Sequence, residues 1–344
     1  MNSGCYTAMV TPFDGDAVDV AGLDRLAEFQ IQNGISGLLA VGTTGESPTL
    51  AWAEHHQVVQ AYARQAKGKC LCIAGAGSNN TKEALSAAGH AVDAGADAVL
   101  LVDPYYNGPS SLEIRKEYIA PVAAAFPDTT IIPYVIPGRT GAQLLPEDLA
   151  LLFKDHPNVN TVKEATGNLD NMRRTRECCG SGFTILSGDD GMTFDMMQAP
   201  DIAGAGVISV VSNIAPKAMS EMVRLIAGGE VEPGKALADA LKPLFGLVTV
   251  TTMEPSPFGE VMCRARNPLA LKTLMQLLGV PSGSCRQPLG KMSRAGLEKV
   301  VGIARTVQSN NPEILAPLAE FFDVDIEARL NDDGLWEGLY YPSY

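Results

Sequence analysis

Residues 130–163 are TIIPYVIPGRTGAQLLPEDLALLFKDHPNVNTVK. An apolar run over Thr130–Tyr134 is followed by an amphipathic helical pattern over Pro146–Phe153 and a second apolar run over Val159–Lys163. Short and nearly continuous apolar runs predict strands that are buried on both faces of a parallel sheet. The stretch therefore predicts a strand–helix–strand unit whose second strand ends in a lysine.

The same unit repeats on both sides of this stretch. Eight β-then-α units fit a (β/α)₈ TIM barrel of the α/β class. A doubly wound sheet is disfavoured, because Thr11–Gly15 after the first strand is not the Gly-rich phosphate turn of that fold. The predicted strands are Cys5–Val10, Gly37–Val41, Cys70–Ala74, Ala98–Val102, Thr130–Tyr134, Val159–Lys163, Thr184–Ser187 and Gly206–Val210. The predicted helices are Val20–Asn33, Trp52–Gln65, Thr81–Ala94, Leu112–Phe126, Pro146–Phe153, Asn168–Cys178, Met192–Ala199 and Pro216–Ala227.

Only helical patterns follow Gly229, over Gly234–Thr251, Asn267–Leu278 and Arg294–Val307. We therefore expect a barrel domain over 1–229, a C-terminal helical domain over 230–310 and an extension over 311–344. The extension holds eight acidic residues, one basic residue and six aromatic residues. Pro312–Arg329 within it could form a helix, and the aromatic residues predict that it packs on its own chain or on a neighbouring subunit.

The composition excludes several classes of protein. Basic residues number 26 against 39 acidic ones, for a net charge of −13, which argues against binding nucleic acid or an anionic membrane. The seven cysteines form no C-x-x-C pair, so we expect reduced thiols and a cytoplasmic protein. The first predicted strand begins almost at Met1, so we expect no leader peptide. We expect neither a metal nor a cofactor.

Barrel enzymes build their active sites at the C-terminal ends of the strands, and the sixth predicted strand ends in Lys163. A lysine in a barrel mouth is costly unless it is used or paired. One interpretation is a Schiff-base lysine, because burial lowers the pKa of an amine and supplies a neutral nucleophile for a ketone. The other is a structural lysine paired with Glu164 or a loop carboxylate. On position alone, both interpretations stay open.

Further polar side chains follow neighbouring strands at the same rim. Tyr134 ends the fifth strand, where its phenol could relay protons to Lys163 or could simply fill the rim. Thr43–Thr44 lies between glycines, in a turn that could hold a carboxylate or could be an ordinary loop. Arg139 could bind a carboxylate in bidentate fashion or form a surface ion pair.

Asp189 and Asp190 follow the seventh predicted strand. Aspartates at a turn before a helix commonly serve as N-caps, so we expect caps rather than catalytic acids. Their negative charge also disfavours the phosphate site that barrels place after strands seven and eight. We therefore expect a substrate without a phosphate group.

Together the motifs resemble the dihydrodipicolinate synthase / N-acetylneuraminate lyase family of class I aldolases. Six segments match in order and spacing across roughly residues 4–305, and the set is far more specific than any single segment. They are Gly42–Ser47 (GTTGES), Pro104–Pro109 (PYYNGP), Tyr134–Thr140 (YVIPGRT), Val162–Gly167 (VKEATG), Leu186–Asp190 (LSGDD) and Gly206–Val210 (GVISV).

The resemblance implies that Lys163 forms a Schiff base with pyruvate and that the enamine attacks L-aspartate 4-semialdehyde, giving 4-hydroxy-tetrahydrodipicolinate. Arg139 matches the arginine that holds the carboxylate of the aldehyde, which the sialic-acid lyases lack. Tyr106 matches a tyrosine that crosses into the site of a neighbouring subunit, within a homotetramer built as a dimer of dimers. The implied catalytic residues are Lys163, Tyr134, Thr43 and Tyr106, and the implied substrate-binding residues are Thr44, Arg139, Gly188 and Ile208.

The resemblance also implies feedback inhibition by L-lysine at an interface between subunits. The matching positions are Ser47, Trp52, His55, Asn79, Glu83 and Tyr105. A different reading is that Trp52 and His55 only begin a helix and pack at its base. Val135 and Ala205 depart from the residues frequent in the family. Two alternative functions stay open: a related aldolase or dehydratase acting on sialic acid or a 2-keto-3-deoxy sugar acid, and a non-catalytic lysine-binding barrel.

Overall fold

The computed structural model describes residues 1–344 and contains a closed barrel of eight parallel strands. The predicted (β/α)₈ barrel is therefore confirmed. Each strand pairs with its neighbours in chain order, and the first strand closes the barrel by pairing with the eighth. The barrel strands, numbered one to eight, are Gly4–Ala8, Gly37–Ala40, Leu71–Gly75, Ala98–Val102, Thr130–Val135, Thr161–Glu164, Thr184–Ser187 and Gly206–Ser209.

Helices cover the outside of the barrel and begin and end close to the predicted bounds. They are Val20–Gln32, Trp52–Ala66, Thr81–Asp93, Pro146–Asp155, Leu169–Cys179, Thr193–Gln198 and Pro216–Ala227. The helix predicted over Leu112–Phe126 forms three consecutive segments, Ser111–Glu113, Ile114–Ile119 and Ala120–Ala125, of which the middle one is a π-helix. No helix of the fold combines the length and apolar character needed to cross a membrane.

The barrel has two separate apolar cores. The larger core lies between the strands and the surrounding helices. The smaller one fills the barrel interior, where inward-facing side chains of alternate strands stack in layers. Tyr134, Leu186 and Ile208 belong to this interior core, and the first two lie beside Lys163 in register on strands five and seven. The interior is therefore packed beneath the lysine, which leaves the C-terminal face as the open side.

The expected C-terminal helical region is present, but the prediction that only helices follow Gly229 is wrong. The helix predicted over Gly234–Thr251 ends at Phe245, and an antiparallel hairpin follows, with strands Thr249–Ser256 and Gly259–Arg266. β-Branched residues from Val248 to Thr252 favour a strand over a helix. We refer to residues 249–266 as the C-terminal hairpin. The other helices of this region are Leu269–Leu277 and Arg294–Asn310.

The extension packs on its own chain, as one of the two expected arrangements. It forms two short helices, Ala316–Phe322 and Ile326–Asn331, instead of the single predicted helix over Pro312–Arg329. Asp323 separates them, with a left-handed φ of 55° that ends the first helix. The Phe321 and Phe322 rings lie 5.3 and 5.2 Å from the Phe29 ring on the first helix of the barrel.

Candidate active site

Lys163 lies at the C-terminal end of the sixth strand, with its side chain inside the barrel mouth. The residue is 4% exposed, and its Nζ lies 4.1 Å from the centre of the Tyr134 ring. Tyr134 is its direct partner on the fifth strand, so the parallel register places the two side chains together. The amine therefore faces an aromatic ring and a largely apolar interior.

The electrostatic surroundings of Lys163 favour a neutral amine. Burial lowers the pKa of Lys163 from 10.5 to about 7, Asp190 opposes this lowering, and the positive charge of Arg139 adds to it. No carboxylate forms an ion pair with Lys163, and Glu164 instead accepts a hydrogen bond from the Thr166 N–H at 2.8 Å. The structural lysine–Glu164 pair that the sequence left open is therefore not formed.

Tyr134 is buried, and Arg139 and Thr43 both influence its pKa. Burial raises the pKa of Tyr134 to about 12, while Arg139 and the Thr43 hydroxyl both act to lower it. The phenol is therefore protonated at neutral pH, where it can donate a proton and can both donate and accept a hydrogen bond. Its neighbours Thr43 and Arg139 both line the cavity into which it faces.

Gly188 lies directly against the Lys163 side chain. A Cβ atom at Gly188 would lie 2.8 Å from the Cβ of Ala165 and 3.1 Å from the Cε of Lys163. Any larger residue would displace the lysine, so only glycine fits this wall of the pocket. Ile208 on the eighth strand is buried in the barrel interior and closes the floor.

A residue that the sequence did not single out connects two predicted substrate contacts. The Asn267 Nδ2 donates to the Thr44 hydroxyl at 2.9 Å, and Arg139 Nη2 donates to the Asn267 carbonyl at 3.4 Å. Asn267 is 6% exposed, and its side-chain oxygen has no partner. Its Asn-Pro sequence indicated only a helix start, so the pattern carried no signal for this role.

Asp189 and Asp190 differ in role. Asp189 accepts a hydrogen bond from Gly191 and begins the helical turn Asp190–Met192, as the sequence predicted. Asp190 is buried and accepts from the backbone N–H groups of Val210 and Val211, both at 3.0 Å. Burial raises the pKa of Asp190 to about 6. The Asp190 carboxyl thereby connects the turn after the seventh strand to the residues that follow the eighth strand. Its negative charge raises the pKa of Lys163.

A buried ion pair between Glu46 and Lys272 fixes the position of the Gly42–Ser47 turn. Glu46 has a left-handed φ of 56°, and its carboxylate contacts the Lys272 amine at 2.7 Å. Both side chains are almost fully buried, at 0% and 1% exposure. Lys272 also donates to the Thr11 carbonyl, and the second Glu46 oxygen accepts from the Arg286 N–H. The turn that carries Thr43 and Thr44 is thereby fixed to the C-terminal region.

One cavity of about 390 Å³ extends from the barrel mouth towards the second predicted site. Its walls include Thr43, Tyr134 and Arg139 on one side. On the other side they include the predicted lysine-site residues Ser47, Trp52, His55, Glu83 and Tyr105. Asn79 is not one of the wall residues, and its side-chain oxygen accepts a hydrogen bond from the Tyr105 N–H at 2.7 Å.

Tyr106 and Thr44 differ in their exposure to solvent. The Tyr106 side chain is 86% exposed in the single chain. Thr44 is buried, and its hydroxyl accepts the hydrogen bond from Asn267.

His55 forms a neutral part of the cavity wall. Burial lowers the pKa of His55 to about 4, and its Nε2 contacts the Gly75 carbonyl.

Comparisons with known proteins agree with this geometry. The sequence profile of the dihydrodipicolinate synthetase family matches residues 1–307. The chain is 38% identical over 297 residues to 4-hydroxy-tetrahydrodipicolinate synthase of Methanococcus maripaludis (strain C7), covering 86% of this chain and 96% of the relative.

Solved structures with the same fold have been determined with small molecules bound. DHDPS from Cyanidioschyzon merolae with lysine bound is 33% identical, with a TM-score of 0.79 over 89% of this chain and 98% of that one. The chloride-inhibited dihydrodipicolinate synthase from Acinetobacter baumannii complexed with pyruvate is 32% identical, with a TM-score of 0.80 over 89% and 99%. The chain therefore belongs to the dihydrodipicolinate synthetase family and is an enzyme, a lyase.

Proposed function

We propose that this enzyme condenses pyruvate, bound as a Schiff base on Lys163, with L-aspartate 4-semialdehyde to give 4-hydroxy-tetrahydrodipicolinate for the synthesis of diaminopimelate and lysine. The observation that carries the proposal is the buried Lys163 amine, unpaired and with its pKa lowered to about 7. Such an amine is neutral often enough at neutral pH to attack a ketone. The pyruvate-bound relative from Acinetobacter baumannii supports the choice of keto acid.

The reaction begins when the Lys163 amine attacks the ketone carbon of pyruvate. Loss of water from the carbinolamine gives the imine, and loss of a methyl proton gives the enamine. The enamine carbon then forms a bond to the aldehyde carbon of the second substrate. Finally the amine of the bound product attacks the imine carbon and displaces Lys163. The protein contributes orientation and proton transfer to these steps.

Tyr134 is proposed to move the protons of carbinolamine formation and dehydration. The Lys163 Nζ lies 4.1 Å from the centre of its ring, and the Thr43 hydroxyl acts to lower its pKa. Tyr106 of a neighbouring subunit is proposed to complete the relay. The Tyr106 side chain extends into solvent in the single chain, where an adjacent subunit could receive it. This arrangement makes the active form an oligomer, which we propose to be a homotetramer built as a dimer of dimers.

The pocket residues divide between the two substrates. We assign the pyruvate carboxylate to Thr44 and the turn around it, with Gly188 and Ile208 enclosing the methyl side. Arg139 is assigned to the carboxylate of aspartate semialdehyde, because its guanidinium faces the cavity without an acidic partner.

We also propose a division of the chain into three parts. Residues 1–229 form the catalytic domain, residues 230–310 support it through Lys272, and residues 311–344 form an extension packed on this body.

L-Lysine is proposed to inhibit the enzyme from the second part of the cavity. Glu83 there suits an ammonium group, and the Tyr105 and Asn79 side chains suit an amino-acid carboxylate. The relative from Cyanidioschyzon merolae binds lysine. Titration of the condensation activity with L-lysine to millimolar concentrations should give a saturating decrease, and Glu83→Gln should weaken it. A flat titration curve of the unaltered enzyme would reject the proposal.

The substrate assignment is tested by measuring two reactions on the same preparation. We expect turnover of pyruvate with aspartate semialdehyde, and no cleavage of sialic acid or of 2-keto-3-deoxy sugar acids. Above about pH 9, where the Lys163 amine is neutral in both enzymes, Arg139→Gln should raise the KM for the semialdehyde and leave the KM for pyruvate nearly unchanged, because its carboxylate contact is assigned to the second substrate. Cleavage of a sugar acid at a higher kcat/KM than the condensation would favour the related aldolases instead.

A further inference from the structure

The C-terminal hairpin brings a second arginine next to Arg139. Arg266 is the last residue of its return strand and is followed directly by Asn267. Its Nη2 donates to the Gly138 carbonyl at 3.2 Å, next to Arg139. In the opposite direction, Arg139 donates to the Asn267 carbonyl at 3.4 Å. Two reciprocal hydrogen bonds therefore join the end of the hairpin to the turn that carries Arg139.

The charges of Arg139 and Arg266 are not neutralised. Neither forms an ion pair, although the chain holds 39 acidic residues against 26 basic ones. Burial lowers the pKa of Arg139, and the positive charge of Arg266 adds to this lowering. Two like charges are thus held close together without a counterion. Binding of an anion between them would relieve their repulsion.

Arg266 also has an unused donor. Its Nε is buried and has no hydrogen-bond partner, while its Nη2 is occupied by Gly138. A buried donor without a partner is costly, and each such group in a native protein calls for an explanation, of which a bound water, ion or ligand is one. An arginine whose fork is partly anchored to the backbone is also pre-organised for a carboxylate.

We propose that Arg266 is a specificity-determining residue that adds a second positive charge beside Arg139 for the carboxylate of the aldehyde substrate. This inference rests on the proposed function, because it assigns Arg266 to the second substrate of that reaction. It predicts selectivity for an aldehyde that bears a carboxylate. It also assigns a role to the C-terminal hairpin, because the hairpin positions Arg266 beside Arg139.

The test compares Arg266→Ala with Arg264→Ala in the full-length enzyme. Arg264 is a matched control, because it lies on the same strand, is exposed and has no hydrogen bond to the Gly138–Arg139 turn. We expect Arg266→Ala to raise the KM for aspartate semialdehyde about tenfold, the effect of one lost charge-assisted contact. The kcat and the KM for pyruvate should stay within about twofold, and Arg266→Lys should recover most of the KM.

Three outcomes decide the inference. Equal losses in Arg266→Ala and Arg264→Ala would show a general effect of charge and overturn it. A change in kcat or in the KM for pyruvate as large as that for the aldehyde, or no change at all, would also overturn it. Borohydride trapping of pyruvate on each variant reports whether the lysine site is intact. If the unaltered enzyme forms the pyruvate adduct but does not turn over aspartate semialdehyde, the proposed function fails, independently of Arg266.

Discussion

The pKa of Lys163 makes a quantitative prediction for the pH dependence of imine formation. With a pKa of about 7, roughly half of the amine is neutral at pH 7, against about one part in 3000 for a lysine at 10.5. The trapping rate with pyruvate and borohydride should therefore rise with pH, with a midpoint near 7 and a plateau above about 8.

Two substitutions should move this midpoint in opposite directions. Asp190 stabilises the ammonium, so Asp190→Asn should lower the midpoint by about half to one pH unit. Arg139 destabilises the ammonium, so Arg139→Gln should raise it by a similar amount. Trapping needs no aldehyde, so the expected loss of the second substrate in the Arg139 variant does not affect the measurement.

The same pKa also predicts how stability depends on pH. The folded pKa lies below the unfolded one, so between about pH 7 and 10.5 the unfolded chain binds more protons and stability rises with pH. Lys163→Met should remove this contribution and flatten the profile. A trapping midpoint above pH 9, or shifts of the same sign in the Asp190 and Arg139 variants, would refute the reasoning.

Three further predictions concern the surroundings of the site. Lys272→Met should cost about 3–5 kcal/mol of stability in thermal unfolding, because it leaves the buried Glu46 carboxylate without its partner; a loss below about 1 kcal/mol would contradict the buried pair. Tyr134→Phe should lower kcat for condensation about 10²–10⁴-fold and slow formation of the pyruvate adduct on Lys163, and a change under threefold would exclude the relay. Phe322→Ala should lower stability by about 1–3 kcal/mol through its contact with Phe29, and unchanged unfolding would show that the extension does not stabilise the barrel.

Local sequence patterns predicted the barrel well, because each strand is a short apolar run bounded by turn residues. The end of the sixth strand could therefore be placed at Lys163 within one residue. The C-terminal hairpin was missed because its first strand continues directly from a helical pattern that ends at Phe245. Only the β-branched run over 248–252 and the prolines after it marked the change.

Contacts between distant parts of the chain could not be predicted. Asn267 and Thr44 are 223 residues apart, and Lys272 and Glu46 are 226 apart, so no periodicity connects them. The burial that lowers the pKa of Lys163 likewise depends on side chains from several strands. A pattern can show which residues end a strand, but the protonation state of an amine there follows only from the packing around it.

Lys163 is proposed to be the amine that binds pyruvate. Incubation with pyruvate and borohydride, followed by digestion and peptide mass mapping, identifies the modified lysine directly. We predict a single pyruvate-derived adduct on the peptide that contains Lys163, its absence in Lys163→Ala and its retention in Lys217→Ala, a change at an exposed lysine. An adduct on any other lysine, or none under conditions in which the enzyme turns over, would contradict the account.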